Sequence, residues 1–304
     1  MKKEMVDSKY PNSANLFQFC RKVLDHKFGG VRVIDQDVGQ ILGFDPADCS
    51  HWKKGKKNIR SIQAMKSIAD HLGVDERLVV DVASGELDEQ EAFFEYSGYG
   101  AFSIDPKLVE AAKKDFYRKN ANGWSKEKET EFKTHFDINE LKIDTIVTDL
   151  HKKINFSEAP LYLPEVVNAY PTLQLLAVEN SIDNTTEPVT VTKEGDQTTI
   201  RYIAGTEMRP YIRYRIARAL AEYFLGLGQT NEHGDVANFS QHISEVQQNM
   251  FAAKLLAPAH LIRKEMAQLN VAKDIVAQLA EVFWVSKTFM NRRVKDILQS
   301  GAAL

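Results

Sequence analysis

The stretch DQDVGQILGFDPADCSHWKKGKKNIR, residues 35–60, predicts two short helices joined by a tight turn. Gly43 follows the first helix, and glycine often ends a helix because it adopts the left-handed conformation without strain. Asp45 and Pro46 are typical of the N-cap and the first position of the second helix, which stops at Gly55. The apolar residues of the first helix fall on one face: Val38, Ile41 and Leu42. The stretch therefore predicts a pair of crossed helices.

Apolar residues at helical spacing continue on both sides of this pair. They predict amphipathic helices at 14–27 and 61–72 and a short final helix at 75–84. Five helices joined by tight turns within about 70 residues are typical of a compact all-α module. We place this module at 1–85.

The second helix of the pair and the loop after it have the residues of a DNA-reading surface. The exposed face of the helix offers Ala47, Ser50 and His51. A basic run follows without an intervening acid: Lys53, Lys54, Lys56, Lys57 and Arg60. In helix-turn-helix proteins the second helix enters the major groove, and flanking cations hold the phosphates. The alternative is a solvated charge run, but basic residues outnumber acidic ones in 1–60, whereas 61–95 contain two basic and nine acidic residues.

The segment DVGQILGFDPADCSHWKKGKKNIRSIQAMKSIADHLGV, residues 37–74, resembles the XRE (Cro/C1-type) helix-turn-helix domain. The matching features are the Leu-Gly before the turn, Ser50 and Trp52 in the second helix, Gly55 after it, and the closing IADHLGV. This resemblance implies a lambda-repressor-like domain that binds double-stranded operator DNA, commonly as a homodimer. The sequence departs from the family where Asp35 stands in place of the usual glutamine at the start of the first helix.

The second half of the chain predicts an α+β domain with a small sheet at 139–304, within a protein that is mostly α. Helix-like segments cover 140–153 and a stretch that begins at Pro164. PVTVTKEGDQTTIRYIAG, residues 188–205, alternates apolar and polar side chains around a Gly-Asp turn, which is typical of a β-hairpin. The intervening 86–138 is assigned to connecting helices without a function. Further helices are predicted at 213–226, 243–256, 258–268, 271–282 and 286–298.

The helix RYRIARALAEYFLG, residues 213–226, and two later segments resemble the ImmA/IrrE-type (DUF955) metallopeptidase-like domain. The later segments are EVQQNMFAAKLLAP, residues 245–258, and VAQLAEVFWVSKTFMNRRVKDI, residues 276–297. This resemblance implies a zincin-like fold. In that family an HExxH helix supplies two histidines to zinc and a glutamate that activates the bound water.

The positions that would carry this chemistry hold other residues. Arg218 stands at the first ligand position, Ala219 at the base position and Glu222 at the second ligand position. Glu245 keeps a carboxylate at the further acidic position. A guanidinium does not bind zinc, and an alanine accepts no proton. The resemblance therefore implies a former active-site cleft with no catalytic residue and no metal.

Two alternatives remain open for this cleft. Glu222, Glu245, His233 and His242 could converge on a metal in a peptidase with unorthodox ligands that cleaves a repressor. Arg218 could instead occupy the vacated space and pair with Glu222, or with both Glu222 and Glu245. In that second case the cleft is either structural or the binding site of an anionic ligand or a peptide.

Bulk composition limits the class of protein. A hydrophobic content of 43% and a charged content of 27% are ordinary for a globular chain, and the net charge of −3 excludes an overall basic coat. Cys20 and Cys49 are too few for a disulfide framework. Because no signal peptide or long apolar run is present, the expected location is the cytoplasm, away from membranes.

Together these patterns predict a DNA-binding transcriptional regulator with a catalytically inactive sensor or oligomerisation domain and no cofactor. The expected partners are double-stranded operator DNA, a second copy of the chain, and a small anionic ligand or a protein at the second domain. The alternatives are the peptidase described above and a regulator gated by an anionic metabolite in the former cleft.

Overall fold

The computed structural model describes most of the chain as two compact units, Met1–Tyr99 and Gly100–Leu304. The described residues are 8–29, 31–98, 110–111, 114, 117–118, 125–128, 130, 140–178, 188–204, 208–227, 235–270 and 272–299, without the side chains of residues 94, 98 and 235–242. Taken together, the two units make an α+β protein that is mostly helical, as the sequence predicts.

The described part of the first unit is helical. Its helices are α1 (Pro11–Lys27), α2 (Asp35–Leu42), α3 (Pro46–Lys53), α4 (Ile62–Leu72), α5 (Glu76–Ser84) and α6 (Glu89–Gly98). The N-caps that begin α3, α4 and α5 are Asp45, Ser61 and Asp75, whose side chains each accept a backbone N–H of the first turn. Such caps satisfy donors that the helix itself cannot satisfy. The five predicted helices of this module are therefore confirmed.

Helix α1 lies at the centre of this unit's core. Its apolar face includes Leu16, Phe17 and Cys20, all without exposed surface. The ring of Phe17 contacts Trp52 of α3 edge-on at 5.2 Å between centroids. The indole N–H of Trp52 donates a 2.6 Å hydrogen bond to the carbonyl of Ser13, so α3 is fixed to α1 by both packing and a buried polar contact.

Helix α6 also belongs to this core. Ala92 is wholly buried, and the rings of Phe93 and Tyr96 each lie 5.8 Å from the imidazole of His26 in α1. This helix falls inside the segment 86–138 that the sequence assigns to a connection. Phe93 and Tyr96 therefore extend the first unit's core.

The second unit contains helices around a small sheet. The helices are α7 (Glu140–Lys153), α8 (Leu163–Asn168), α9 (Pro210–Leu225), α10 (Asp235–Leu256), α11 (Ala259–Met266), α12 (Ile275–Phe283) and α13 (Lys287–Gln299). The strands are β1 (Leu173–Val178), β2 (Val189–Glu194) and β3 (Gln197–Ile203). Helix α9 follows the sheet and packs along α10 as well as against β2 and β3.

The sheet has the order β1-β3-β2. Strands β2 and β3 are antiparallel, with Val189 opposite Tyr202 and Glu194 opposite Gln197, and Gly195 has a φ of 59° in the turn between them. A positive φ is readily adopted by glycine, which explains the residue at this turn. The predicted hairpin is confirmed.

Strand β1, by contrast, is absent from the sequence prediction. It pairs in parallel with β3, with Leu173 opposite Thr198. The six residues LQLLAV form a short apolar run, and periodicity alone does not separate such a run from a buried helical segment. Helix α10 also begins earlier than predicted, at Asp235 instead of residue 243. Among the described helices, none is long and apolar enough to cross a bilayer.

Candidate functional site

The first candidate site is the helix pair α2–α3, whose crossing is held by a very close contact. A Cβ at Gly39 would lie 2.8 Å from the sulfur of Cys49 and 3.0 Å from the carbonyl oxygen of Phe44. A side chain there would force Cys49 or the turn at Phe44 to shift, so glycine lets α2 and α3 approach this closely. Gly43 ends α2 with a φ of 74°, and Asp45 begins α3 two residues later. The predicted turn is therefore confirmed.

The fold leaves one face of α3 open to solvent. Cys49 and Trp52 point into the core, whereas Ala47, Ser50 and His51 are exposed. The three predicted recognition residues thus share one outward surface. Their side chains offer a methyl group, a hydroxyl and an imidazole, which suits contacts with thymine methyls and with donors and acceptors on base edges.

Two of the five predicted phosphate-binding cations already have carboxylate partners. The ammonium group of Lys53 lies 2.7 Å from the carboxylate of Asp35, which also lies 3.9 Å from Arg21. Lys57 contacts the carboxylate of Asp48 at 2.5 Å. Sequence reasoning missed the Lys53 pair because its partner, Asp35, lies on another helix.

The remaining three cations are differently placed. Lys54, Lys56 and Arg60 are exposed, and none of them has a carboxylate partner among the residues that the structure describes. Their charges are therefore available to an external anion without the loss of an internal ion pair. Three cations of the predicted basic run therefore face solvent, and the other two, Lys53 and Lys57, neutralise carboxylates of the helix pair.

The loop that carries these cations is anchored to the start of α1. The backbone N–H of Tyr10 donates to the carbonyl of Gly55 at 2.9 Å, and the N–H of Ile59 donates to the hydroxyl of Ser13 at 2.9 Å. Gly55 has a φ of 61°, and a Cβ there would lie 2.9 Å from the Tyr10 carbonyl oxygen. This conformation and this contact both require glycine, so the loop backbone is held in one place.

The second candidate site lies between α9 and α10 of the second unit. A guanidinium nitrogen of Arg218, Nη2, donates to Oε1 of Gln248 at 3.0 Å. The amide nitrogen of Gln248 donates to Oε1 of Glu222 at 3.2 Å. The side chains of Arg218 and Glu222 are therefore joined through Gln248, in place of the direct ion pair that their spacing on one helix predicts.

The other two residues of the predicted cleft are not members of this chain of hydrogen bonds. Ala219 is buried, at 5% exposure, on the core side of α9. Glu245 is exposed on α10 and has contacts of its own. The structure thus brings Arg218 and Glu222 together and adds Gln248, which sequence reasoning passed over because a glutamine on an amphipathic helix is usually a solvated residue.

Burial has a clear electrostatic effect on Glu222. It raises the pKa of the Glu222 carboxyl, and the charges of Arg218 and Arg215 and the hydrogen bond from Gln248 offset this rise only in part. The protonated form is therefore favoured relative to an exposed glutamate. Among the residues that the structure describes, no group of three His, Cys, Asp or Glu side chains is arranged to hold a metal ion. The side chains of His233 and His242 lie outside the described residues.

Comparison with known proteins gives no relative. The chain matches no family model, no curated protein and no solved structure. What the two sites can do therefore follows from their own geometry and charge.

Buried polar contacts of Arg213 and Tyr214 also hold α9 in place. Arg213 has no exposed surface, and its guanidinium lies over the Trp284 ring. Its Nε donates to the carbonyl of Trp284 at 2.9 Å, and its Nη2 donates to the carbonyl of Leu161 at 2.8 Å. Burial lowers the pKa of Arg213 to about 10. The hydroxyl of Tyr214 donates to Oδ1 of Asn249 at 2.6 Å, and both residues are buried. These contacts fix α9 to its neighbours.

The raised pKa of Glu222 predicts a pH-dependent effect of Glu222→Gln. The folded state binds the proton of the Glu222 carboxyl more tightly than the unfolded state does. The stabilisation that comes from the protonated carboxyl is therefore fully present below pH 4.5, the ordinary pKa, and is lost as the pH rises through the raised pKa. The neutral variant should therefore gain stability relative to the original chain at pH 7 but not at pH 4. Urea midpoints of both proteins at the two pH values check this, and a difference that does not change with pH would contradict it.

Proposed function

We propose that the protein is a DNA-binding transcriptional regulator in which the first unit reads duplex DNA through α3. The observation that carries this proposal is that exposed uncharged side chains of α3 lie beside exposed cations without carboxylate partners in the described structure. Ala47, Ser50 and His51 form one open face, and Lys54, Lys56 and Arg60 lie just beyond it without internal carboxylate partners in the described structure. This arrangement has the two parts that sequence-specific binding needs, a face for base edges and cations for phosphates.

The geometry of α3 suits the major groove. The groove is about 12 Å wide and admits one α-helix, whose outward side chains then meet the base edges. The opposite side of α3 is anchored by Trp52 and Cys49, so the helix is presented as a rigid element. The resemblance to XRE domains supports the same docking and favours two copies on a two-fold symmetric operator.

The three outward cations provide the non-specific part of the affinity. Each phosphate neutralised by a lysine or arginine releases counterions, which makes binding stronger at low salt. Lys53 and Lys57 have a different role in this proposal. They neutralise Asp35 and Asp48, whose carboxylates would otherwise repel the phosphates.

The second unit acts in this proposal as a sensor or oligomerisation domain without peptidase chemistry. Arg218 is the reason, because a guanidinium one helical turn from Glu222 repels any metal ion that Glu222 would bind. Ala219 provides no base to activate a water. The peptidase alternative therefore requires a cation to bind where a fixed positive charge already lies.

A selection experiment tests the proposed function. The full chain is incubated with a random duplex library in about 100 mM salt, and bound duplexes are sequenced after several rounds. We expect enrichment of one motif, and His51→Ala should lower affinity for that motif by about 10-fold or more, the cost of one lost base contact. Affinity for unselected duplex should change little, because phosphate contacts are intact.

The matched control is Lys66→Ala, since Lys66 is an exposed cation on α4 that is not among the proposed DNA-contacting residues. This control should leave both affinities unchanged. The proposal fails if no motif is enriched and the chain has no measurable affinity for duplex DNA even at low salt.

A further inference from the structure

The α9–α10 contact contains an arginine whose donors are only partly used. Arg218 donates from Nη2 to the neutral oxygen of Gln248, while its Nε is buried and has no acceptor among the residues that the structure describes. We propose that Arg218 binds an oxyanion, a carboxylate or phosphate group of a small ligand, which displaces the amide oxygen of Gln248. This inference rests on the proposed function, because it gives the second unit's sensor role a ligand class.

The geometry of the guanidinium specifies the ligand's chemistry. Nε–H and Nη2–H lie on the same edge of the planar group, and this edge binds a carboxylate or phosphate through two parallel hydrogen bonds. The oxygen of Gln248 occupies only one of these two donors. A buried donor without an acceptor is unfavourable, so a ligand with two oxygens can satisfy both donors where the single amide oxygen satisfies one.

The charge around Arg218 favours an anion. The hydroxyl of Tyr214 lies within the field of three arginines, Arg218, Arg292 and Arg215, each of which lowers its pKa against the effect of burial. Arg215 and Arg292 have contacts of their own, so they contribute field and not open donors. Burial raises the pKa of Glu222, which reduces the negative charge that this residue sets against the arginines.

Gln248 connects the ligand site to the packing of the two helices. Its oxygen accepts from Arg218 on α9, and its nitrogen donates to Glu222 one turn further along the same helix. A ligand that takes both Arg218 donors removes the first bond and frees the amide to turn. The liganded and unliganded states then differ in the hydrogen bonds between α9 and α10, which is the differential interaction that a sensor requires.

Calorimetric titration of the full chain tests the proposal. The probes are inorganic phosphate and succinate, with chloride at matched ionic strength as the reference. We expect saturable binding of at least one probe, and at least about 10-fold weaker binding in Arg218→Gln, which lacks the charge and the double-donor edge. A carboxylate ligand is indicated if succinate binds more tightly, and a phosphate ligand if phosphate does.

Gln248→Ala provides a second and opposite readout. Because the amide oxygen competes with the ligand, this variant should bind the preferred probe about 3-fold more tightly, a change in the range of one neutral hydrogen bond. It also keeps the test decisive if Arg218→Gln fails to fold. Equal affinities in the original chain and both variants, or no heat beyond that of chloride, would overturn the proposal.

The outcomes for the two proposals are separable. Oxyanion binding is measured without DNA, and DNA binding is measured in the absence of the probes. A chain that selects a DNA motif but binds no oxyanion at Arg218 contradicts only the ligand site. A chain that binds the oxyanion but has no affinity for DNA contradicts only the proposed function.

Discussion

Replacement of Lys54, Lys56 and Arg60 together by glutamine is expected to lower the affinity of the full chain for its selected duplex by about 100-fold or more. Each residue is exposed and has no carboxylate partner in the described structure, so its charge is free to meet a phosphate. Three lost phosphate contacts at about 0.9 counterions each should also make the slope of log affinity against log salt shallower by about 2.7. Fluorescence anisotropy at four salt concentrations between about 50 and 300 mM measures the affinity and the salt slope.

The ion-paired lysines provide the matched comparison. Lys57→Gln exposes the charge of Asp48, and the double variant that adds Asp48→Asn removes that charge again. We therefore expect the single variant to weaken binding and the double variant to recover most of the loss. The assignment of charges is wrong if Lys57→Gln flattens the salt slope as much as the triple variant does, or if Asp48→Asn gives no recovery.

The largest effect on stability is expected from Arg213→Ala. The change leaves the carbonyls of Trp284 and Leu161 without their donor and opens a cavity beneath α9. Hydrogen bonds to charged groups contribute about 1.5–3 kcal/mol each. Arg213 is a buried cation without a carboxylate partner among the residues that the structure describes, which offsets part of this, as the lowered pKa of about 10 indicates. We expect a net loss of about 3–4 kcal/mol in the free energy of unfolding of the second unit.

Urea unfolding measures this loss of stability, and native-state hydrogen exchange locates it in the structure. Amide protection should fall in α9, α12 and the segment around Leu161, which Arg213 joins, and remain unchanged in α1 to α5. Arg201→Ala on β3 is the control, since Arg201 is half-buried and should cost less than about 1 kcal/mol. A loss below about 1 kcal/mol for Arg213→Ala would mean that relief of the buried charge outweighs the two hydrogen bonds.

Local sequence signals predicted the first unit well because its helices are specified by nearby residues. Gly43 ends α2, and Asp45 caps α3 two residues later. The exposure of Ala47, Ser50 and His51 follows from the position of Cys49 and Trp52 on the opposite side of the same helix. The pairing of Lys53 with Asp35 was not accessible in this way, because it depends on how two helices cross.

The second unit shows where local reasoning stops. The run LQLLAV becomes strand β1 because β3, more than twenty residues later, provides its hydrogen-bonding partner. Gln248 meets Arg218 and Glu222 only because α10 lies along α9 in one register. The family resemblance singled out Arg218 and Glu222, but the amide of Gln248 comes between them only through the packing of the two helices.

The contact between Gly39 and Cys49 has a consequence for how DNA preference could diversify. Since the crossing of α2 and α3 leaves no room for even a methyl group, the angle at which α3 is presented does not depend on the side chains at positions 47, 50 and 51, which are all exposed. Substitutions at these three positions can therefore accumulate independently of the core. Under the proposed function, new operator preferences would then arise by exchange of outward side chains on an unchanged scaffold, whereas a larger residue 39 would disturb the helix crossing that all of them share.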